Sequence, residues 1–151
     1  MTDTITLRPA VMQDLNFLQK CAHDAYVKYV LKIGKEPAPM VADFAAHIDV
    51  RQAYVICVDK DEVGYSIHWK RSTALYIDNI ALLPKQQGNG LGRQVFSMLE
   101  GIAAENGCVC MELYTNALME GPPAFYPSIG FEIVDRRIED GFDRVYFRKR
   151  I

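Results

Sequence analysis

The sequence predicts an α/β (α+β) fold, with one mixed, mostly antiparallel sheet, helices on both faces and the order β-αα-βββ-α-β-α-ββ. Three observations carry the prediction. Apolar residues recur at helical spacing before residue 50. Three apolar, β-branched runs separated by short polar stretches follow between residues 53 and 83. Closely spaced glycines at 88–92 then open a long amphipathic helix.

In chain order, residues 5–8 read as a short first strand that stops at Pro9. Residues 11–31 place Leu15, Leu18, Ala22, Ala25, Tyr26 and Tyr29 at helical spacing, giving one or two helices. Pro37 and Pro39 make 34–40 a loop, and residues 40–50 return to helical spacing through Phe44, Ala45 and Ile48. Residues 53–58, 63–70 and 74–83 form a three-stranded meander, with a polar turn at 59–62 and Pro84 ending the last strand. Residues 90–105 are an amphipathic helix that turns Leu91, Val95, Phe96, Met98, Leu99 and Ile102 inward and stops at Asn106-Gly107. A strand at 109–115, a short helix at 123–128 and a strand pair at 131–136 and 144–147 complete the chain.

The 151 residues fit a single domain over 1–151, a length that buries roughly 70% of the unfolded surface. Net charge is −2 and the cations are spread along the chain, so there is no electrostatic footprint for nucleic acid or an anionic membrane. The basic cluster at 148–150 reads as a solvated terminus. Residues 1–8 lack the apolar core of a signal peptide, and no apolar run approaches the ~20 residues of a membrane helix. A cytoplasmic location is therefore expected. Cys21, Cys57, Cys108 and Cys110 lack metal-ligand spacing and read as buried free thiols, the last two on one face of a strand. No metal site is expected.

The most informative stretch runs from Ile80 to Arg93, where a strand enters a Gly-rich turn that opens a helix. Glycines let main-chain N–H groups approach a ligand without a Cβ in the way, and the helix start adds unpaired donors and positive dipole. Together these make a pyrophosphate cradle. A Walker A loop needs Gly-Lys-Ser/Thr, and Arg93-Gln94 stands there instead. A dinucleotide fingerprint needs a third glycine where Arg93 stands and an early βαβ unit, not a meander. Both nucleotide readings fail. A helix cap alone does not call for three glycines in five residues.

Gln87-Gly88-Asn89-Gly90-Leu91-Gly92 resembles the Q/R-x-x-G-x-G/A signature of the GNAT acetyltransferases, and the lead-in strand ending at Leu82 before Pro84 matches theirs. Phe125-Tyr-Pro-Ser-Ile-Gly-Phe131 is similar to their second signature, aromatic-Tyr-x-x-x-Gly-Phe, about forty residues downstream in the expected order. The resemblance covers essentially the whole chain. It implies a sheet of about 6–7 strands splayed between strands 4 and 5, with acetyl-CoA as co-substrate. Pantetheine would lie in the gap against main chain of Ile80, Ala81 and Leu82. Gln87, Gly88, Asn89, Gly90, Leu91, Gly92 and Arg93 would hold the pyrophosphate. The Leu82 N–H would face the thioester oxygen and stabilise the oxyanion. Where the family often places a cofactor-contacting Asn, seven residues before the motif Tyr, this chain has Met119, and Asn116 is the candidate substitute. Pro122 and Pro123 alter the start of the short helix.

The activity so implied is N-acetylation of a primary amine on a small molecule or peptide, by direct attack through a tetrahedral intermediate. Acetyl transfer needs a base for the ammonium, an oxyanion donor and an acid for the departing thiolate. The resemblance assigns the acid to Tyr126, and Asp78, two residues before the cofactor-binding segment, is the candidate base. Strand alternation puts Tyr76 on the same face as a second candidate. His23, His47 and His68 sit in no ligand spacing, and His47 is the one placed to face an acceptor pocket. The competing class is an acyl-CoA-binding regulatory module without turnover, which Met119 favours; the family's dimeric members leave a homodimer open. Glu36, Glu139 and Asp140, with Asp43 just beyond, lie in loops bordering the acceptor side and point to a small cationic acceptor, an argument Lys32 and Lys35 oppose.

Overall fold

The structure is a computed structural model that describes residues 4–119 and 122–151. Among the described residues seven strands form one sheet: β1 (Ile5–Pro9), β2 (Ala53–Val58), β3 (Asp61–Arg71), β4 (Ala74–Leu82), β5 (Cys110–Asn116), β6 (Glu132–Glu139) and β7 (Phe142–Arg150). Their spatial order is β1-β2-β3-β4-β5-β7-β6, and every neighbouring pair is antiparallel except β4 with β5. On one face pack α1 (Leu15–Tyr26) and α3 (Phe44–Asp49), whose Leu18, Cys21, Phe44 and Ile48 meet Val55, Tyr65 and Ile67. On the other face α4 (Leu91–Glu105) and α5 (Pro122–Ser128) bring Leu91, Val95, Leu99 and Tyr126 against Ile77, Met111, Leu113 and Phe147. Burying large apolar side chains on both faces at about 1.5–3 kcal/mol each is what holds the three layers together.

The first helical stretch is interrupted. A 3₁₀ turn at Val27–Tyr29 separates α1 from the four-residue α2 (Val30–Ile33), which ends at Gly34 with φ +87°. α3 is shorter than 40–50 because Asp43 caps it, accepting from the Ala46 N–H, while Ala38–Val41 forms a separate 3₁₀ turn. The last two strands run longer than expected. The loop that carries Glu139 and Asp140 is therefore reduced to the tight turn Asp140-Gly141, with φ of +53° and +79°. Two consecutive left-handed residues match the twist of a hairpin, and Asp-Gly supplies them at low steric cost. Cys108 precedes β5 instead of lying in it, and all four thiols are buried and free.

Two irregularities open the middle of the sheet. The β3–β4 register shifts between Ile67 and His68, whose partners are Asn79 and Ile77, so Asp78 is the extra residue of a β-bulge. β4 and β5 pair only from Ala74/Cys110 to Ile77/Leu113. Beyond that rung they part, although β4 continues to Leu82 and β5 to Asn116. Asp78 and Tyr114 are the first residues past the fork.

Candidate active site

The fork opens into a cavity of about 930 Å³ that α1, α4, α5, β4, β5 and β7 all help to line. Gln87, Gly88, Gly90, Gly92 and Arg93 line it from the glycine turn, and Ile80, Ala81, Leu82 and Asp78 from β4. Tyr126 lines it from α5 and Asn116 from β5. Thus most of the residues singled out in the sequence converge on one space. Asn89 and Leu91 are off its wall. Leu91 is buried in the core beneath α4, and Asn89 Oδ1 accepts the Leu91 N–H at 3.3 Å, so their side chains serve the helix start.

Alternation along a strand sends the main-chain groups of successive residues to opposite edges. The Ala81 carbonyl crowds Gly64 of β3 so closely that a Cβ there would meet it, and the Leu83 N–H bonds the Val63 carbonyl. Ala81 main chain therefore belongs to the β3 side and is not the part that meets a ligand, contrary to the expectation above. Ile80 and Leu82 turn theirs toward the fork. Two side chains hold the carbonyls of that edge: the Tyr26 hydroxyl donates to the Ile80 oxygen at 2.7 Å, and Gln87 Nε2 donates to the Leu82 oxygen at 3.0 Å. Gln87 Oε1 in turn accepts from Lys28 Nζ at 3.3 Å. By the same alternation the Ile80 and Leu82 N–H groups point into the cavity.

At the glycine turn, Gly88 and Gly90 adopt φ of +81° and +86°, and Gly90 is the N-cap residue of α4. A Cβ on either would meet nothing within 4 Å, so the protein needs glycine there for its backbone conformation and the space beside it stays open. Arg93, one helical turn into α4 at most, reaches the Ser128 carbonyl of α5 at 3.4 Å and keeps its charge beside the turn.

Tyr126 sits in an aromatic cage of Phe96, Phe125, Phe131 and Phe147, with ring centroids 5.4–5.7 Å away. Burial, with a smaller contribution from Tyr29, pushes its phenol well above the ordinary value, so the hydroxyl remains a proton donor through the neutral and mildly basic range. Among the described residues nothing accepts its proton. The Asp78 carboxylate lies on the opposite face of the sheet, 3.9 Å from His47 Nε2 of α3, and His47 Nδ1 meets Gln52 Oε1 at 2.9 Å. The cavity passes through the fork and joins the two. Tyr76 is buried off the cavity wall, and burial followed by the nearby Asp78 charge pushes its phenol up, which argues against it as a base. His68 is buried, stacked on Tyr54 at 4.5 Å and bonded to Ser66 Oγ at 2.8 Å. Desolvation pushes its pKa down to about 4, so it is a neutral structural residue.

Asn116 Oδ1 accepts the Leu118 N–H at 2.9 Å, which leaves its amide nitrogen as the group offered to the cavity. Met119 lines the same wall, its sulfur 3.7 Å from the Thr115 hydroxyl. The effect of the Pro122 and Pro123 side chains lies outside the described residues. The sequence reading missed Tyr26, Lys28 and Arg144 as cavity residues. Helical spacing alone makes Tyr26 read as helix core, and its polar tip at the C-terminal end of an otherwise Ala-lined face is the local signal of another role. For Arg144 no local signal exists, because its place depends on the β5–β7 register.

A family model described as "Acetyltransferase (GNAT) domain" matches residues 49–133. A sequence search of curated proteins returned no match. Solved structures with the same fold include the PaiA N-acetyltransferase from Thermoplasma acidophilum in complex with coenzyme A, at 16% identity, TM-score 0.76, covering 98% of this chain and 99% of that one. An acetyltransferase from Thermus thermophilus aligns at 23% identity and TM-score 0.75 over 98% of this chain and 97% of its own. A GNAT family acetyltransferase from Elizabethkingia anophelis with acetyl-CoA bound aligns at 16% identity and TM-score 0.70, over 99% and 98% of the two chains. With the family model spanning more than half of its residues, and with the splayed sheet and glycine turn in place, this chain belongs to the GNAT acetyltransferase family.

Proposed function

We propose that the protein transfers the acetyl group of acetyl-CoA to a primary amine. One observation carries the reading: a single cavity joins the glycine turn of α4, the open edge of β4, the Tyr126 hydroxyl and Asp78. The residues fit the co-substrate. Unpaired N–H groups at a helix start, beside Arg93, suit a pyrophosphate, and the Ile80 and Leu82 N–H groups of the open strand edge suit the carbonyls of an extended chain of amides. The coenzyme A and acetyl-CoA held by two of the similar structures support the same assignment.

Each chemical need then has a group. Asp78, directly or through water, takes the proton that the ammonium must lose. The amine nitrogen attacks the thioester carbon, and the Leu82 N–H, aimed into the cavity, stabilises the oxygen that becomes negative. As the tetrahedral intermediate collapses, the carbon–sulfur bond breaks, Tyr126 donates its proton to the thiolate, and the second proton shed by the nitrogen restores the phenol through solvent. Release of free thiol from acetyl-CoA with an amine panel tests the reading, with calorimetry of CoA binding run beside it. Tight CoA binding without thiol release from any amine would establish the regulatory module instead.

A further inference from the structure

The acidic residues that point to a cationic acceptor all lie off the cavity wall. Asp43 caps α3, and Glu36 is exposed off the cavity wall. Glu139 and Asp140 face the guanidiniums of Arg137 and Arg144 at 3.4–4.0 Å. On the cavity wall itself the balance is reversed: Lys28, Lys32, Arg93 and Arg144 are cationic, and Asp78 is the one carboxylate among the described lining residues. Lys28 and Arg93 stand at the glycine turn, where phosphates are expected. Arg144 does not.

Arg144 is placed by the sheet on the acceptor side of the fork. It pairs with Asn116 across β5–β7, two residues beyond Tyr114, which is the first β5 residue past the last β4–β5 rung. Its guanidinium lies over the Tyr114 ring at 4.5 Å and beside Phe142 at 5.5 Å, and only 12% of its side chain is exposed. A guanidinium has five donors in a planar fork that matches a carboxylate. Here its ion pairs are loose, 3.6 Å to the largely exposed Asp140 and 4.0 Å to Glu139, and among the described residues it makes no hydrogen bond. Such a group in a cavity wall, oriented by stacking and held by those two carboxylates only at 3.6–4.0 Å, keeps donors for a ligand anion. Tyr114 and Asp78 line the same cavity. Asp78 and Arg144 both line the cavity, on β4 and β7, with β5 and the open fork between the two strands.

Building on the acetyl-transfer reading, we infer that the acceptor is a small amine carrying a carboxylate, its nitrogen toward Asp78 and its carboxylate on the Arg144 fork. Short straight-chain ω-amino acids of graded length, each paired with its carboxamide, test this by steady-state kinetics with acetyl-CoA and by calorimetric binding without turnover. The carboxylate of at least one length is expected to exceed its carboxamide in kcat/KM by about 10- to 100-fold, as befits a two-pronged charge-assisted contact. Arg144→Gln should erase most of that ratio, and Arg144→Lys should keep part of it. Because the readout is a ratio within each variant, a partly unfolded preparation does not imitate the result. Equal use of carboxylate and carboxamide by the wild type, or a ratio unchanged in Arg144→Gln, overturns the inference. Loss of CoA binding or of all thiol release would instead strike the acetyl-transfer reading, and the calorimetric preference for carboxylate would still decide Arg144.

Discussion

The Tyr26 hydroxyl donates to the Ile80 carbonyl at 2.7 Å and so ties the end of α1 to the free edge of β4. The bond links residues 54 apart in sequence across the boundary between a helix layer and the sheet. Burial holds the Tyr26 phenol far above its ordinary pKa, so the donor persists at any pH where the protein is used. Tyr26→Phe keeps the ring and leaves the Ile80 oxygen without this partner. A loss of about 1 kcal/mol is expected, read as a lower denaturant midpoint with an unchanged m-value. An unchanged midpoint would mean that water replaces the hydroxyl at no cost.

Tyr126→Phe separates packing from proton donation. The cage of Phe96, Phe125, Phe131 and Phe147 accommodates a phenyl ring equally well, so thermal stability and CoA affinity should change little. The expected loss of kcat is ~10²-fold, the contribution of one positioned acid. Wild-type kcat in this variant, with chemistry limiting the rate, would return Tyr126 to a purely structural role. Its raised pKa also has a sign in stability: the protonated phenol is favoured in the fold, so that contribution is complete below the unfolded value near 10 and declines as pH rises beyond it.

Gly90→Asp tests the phosphate cradle. A side chain there meets no atom within 4 Å, so the folded state bears only the strain of φ +86°, roughly 1 kcal/mol for a residue type that tolerates this region. The added carboxylate should lower CoA affinity by at least ~10-fold through repulsion and obstruction. Gly90→Asn, similar in shape but uncharged, should lie between the two. Calorimetry that finds all three proteins alike would remove the assignment.

His68 sets an acid limit on stability. Its pKa falls from 6.5 when unfolded to about 4 in the fold because burial penalises the imidazolium. The group's contribution is therefore complete above pH 6.5 and is lost as pH falls toward 4, by about 3 kcal/mol in all. His68→Phe keeps the stack on Tyr54 and cannot titrate. The unfolding free energy of the wild type minus that of the variant, from urea titrations between pH 8 and pH 4, should fall by that amount as pH falls, and parallel curves would show that His68 is not the group responsible.

What the sequence made legible was whatever is encoded locally. Gly88 and Gly90 require left-handed backbone, and a Gly-rich turn before an amphipathic helix announces itself without any knowledge of the rest of the chain. The strand runs of β2 to β5 were equally plain. The long-range features were hidden. The bulge that frees Asp78 arises from a mismatch between β3 and β4, and neither strand shows it alone. Arg144 reads as one more cation in a terminal strand until the β5–β7 register sets it beside Tyr114. The charge balance around Arg144 is hidden for the same reason. Glu139 and Asp140 are acidic in sequence, and only the hairpin and its ion pairs show that Arg137 and Arg144 face them.

The parting of β4 from β5 also governs how the backbone exchanges its hydrogens with solvent. Amides in the middle of a sheet usually open only with the whole fold. Those of Ile80 and Leu82, at the centre of this sheet, have no strand partner on the fork side among the described residues and lie against the cavity. In the free protein they should exchange with deuterium as fast as those of an edge strand, while Ala81 between them, turned toward β3, stays protected. A ligand that fills the fork takes the place of the missing strand, and the slowing of these two amides would map its binding at single-residue resolution, with no need for turnover.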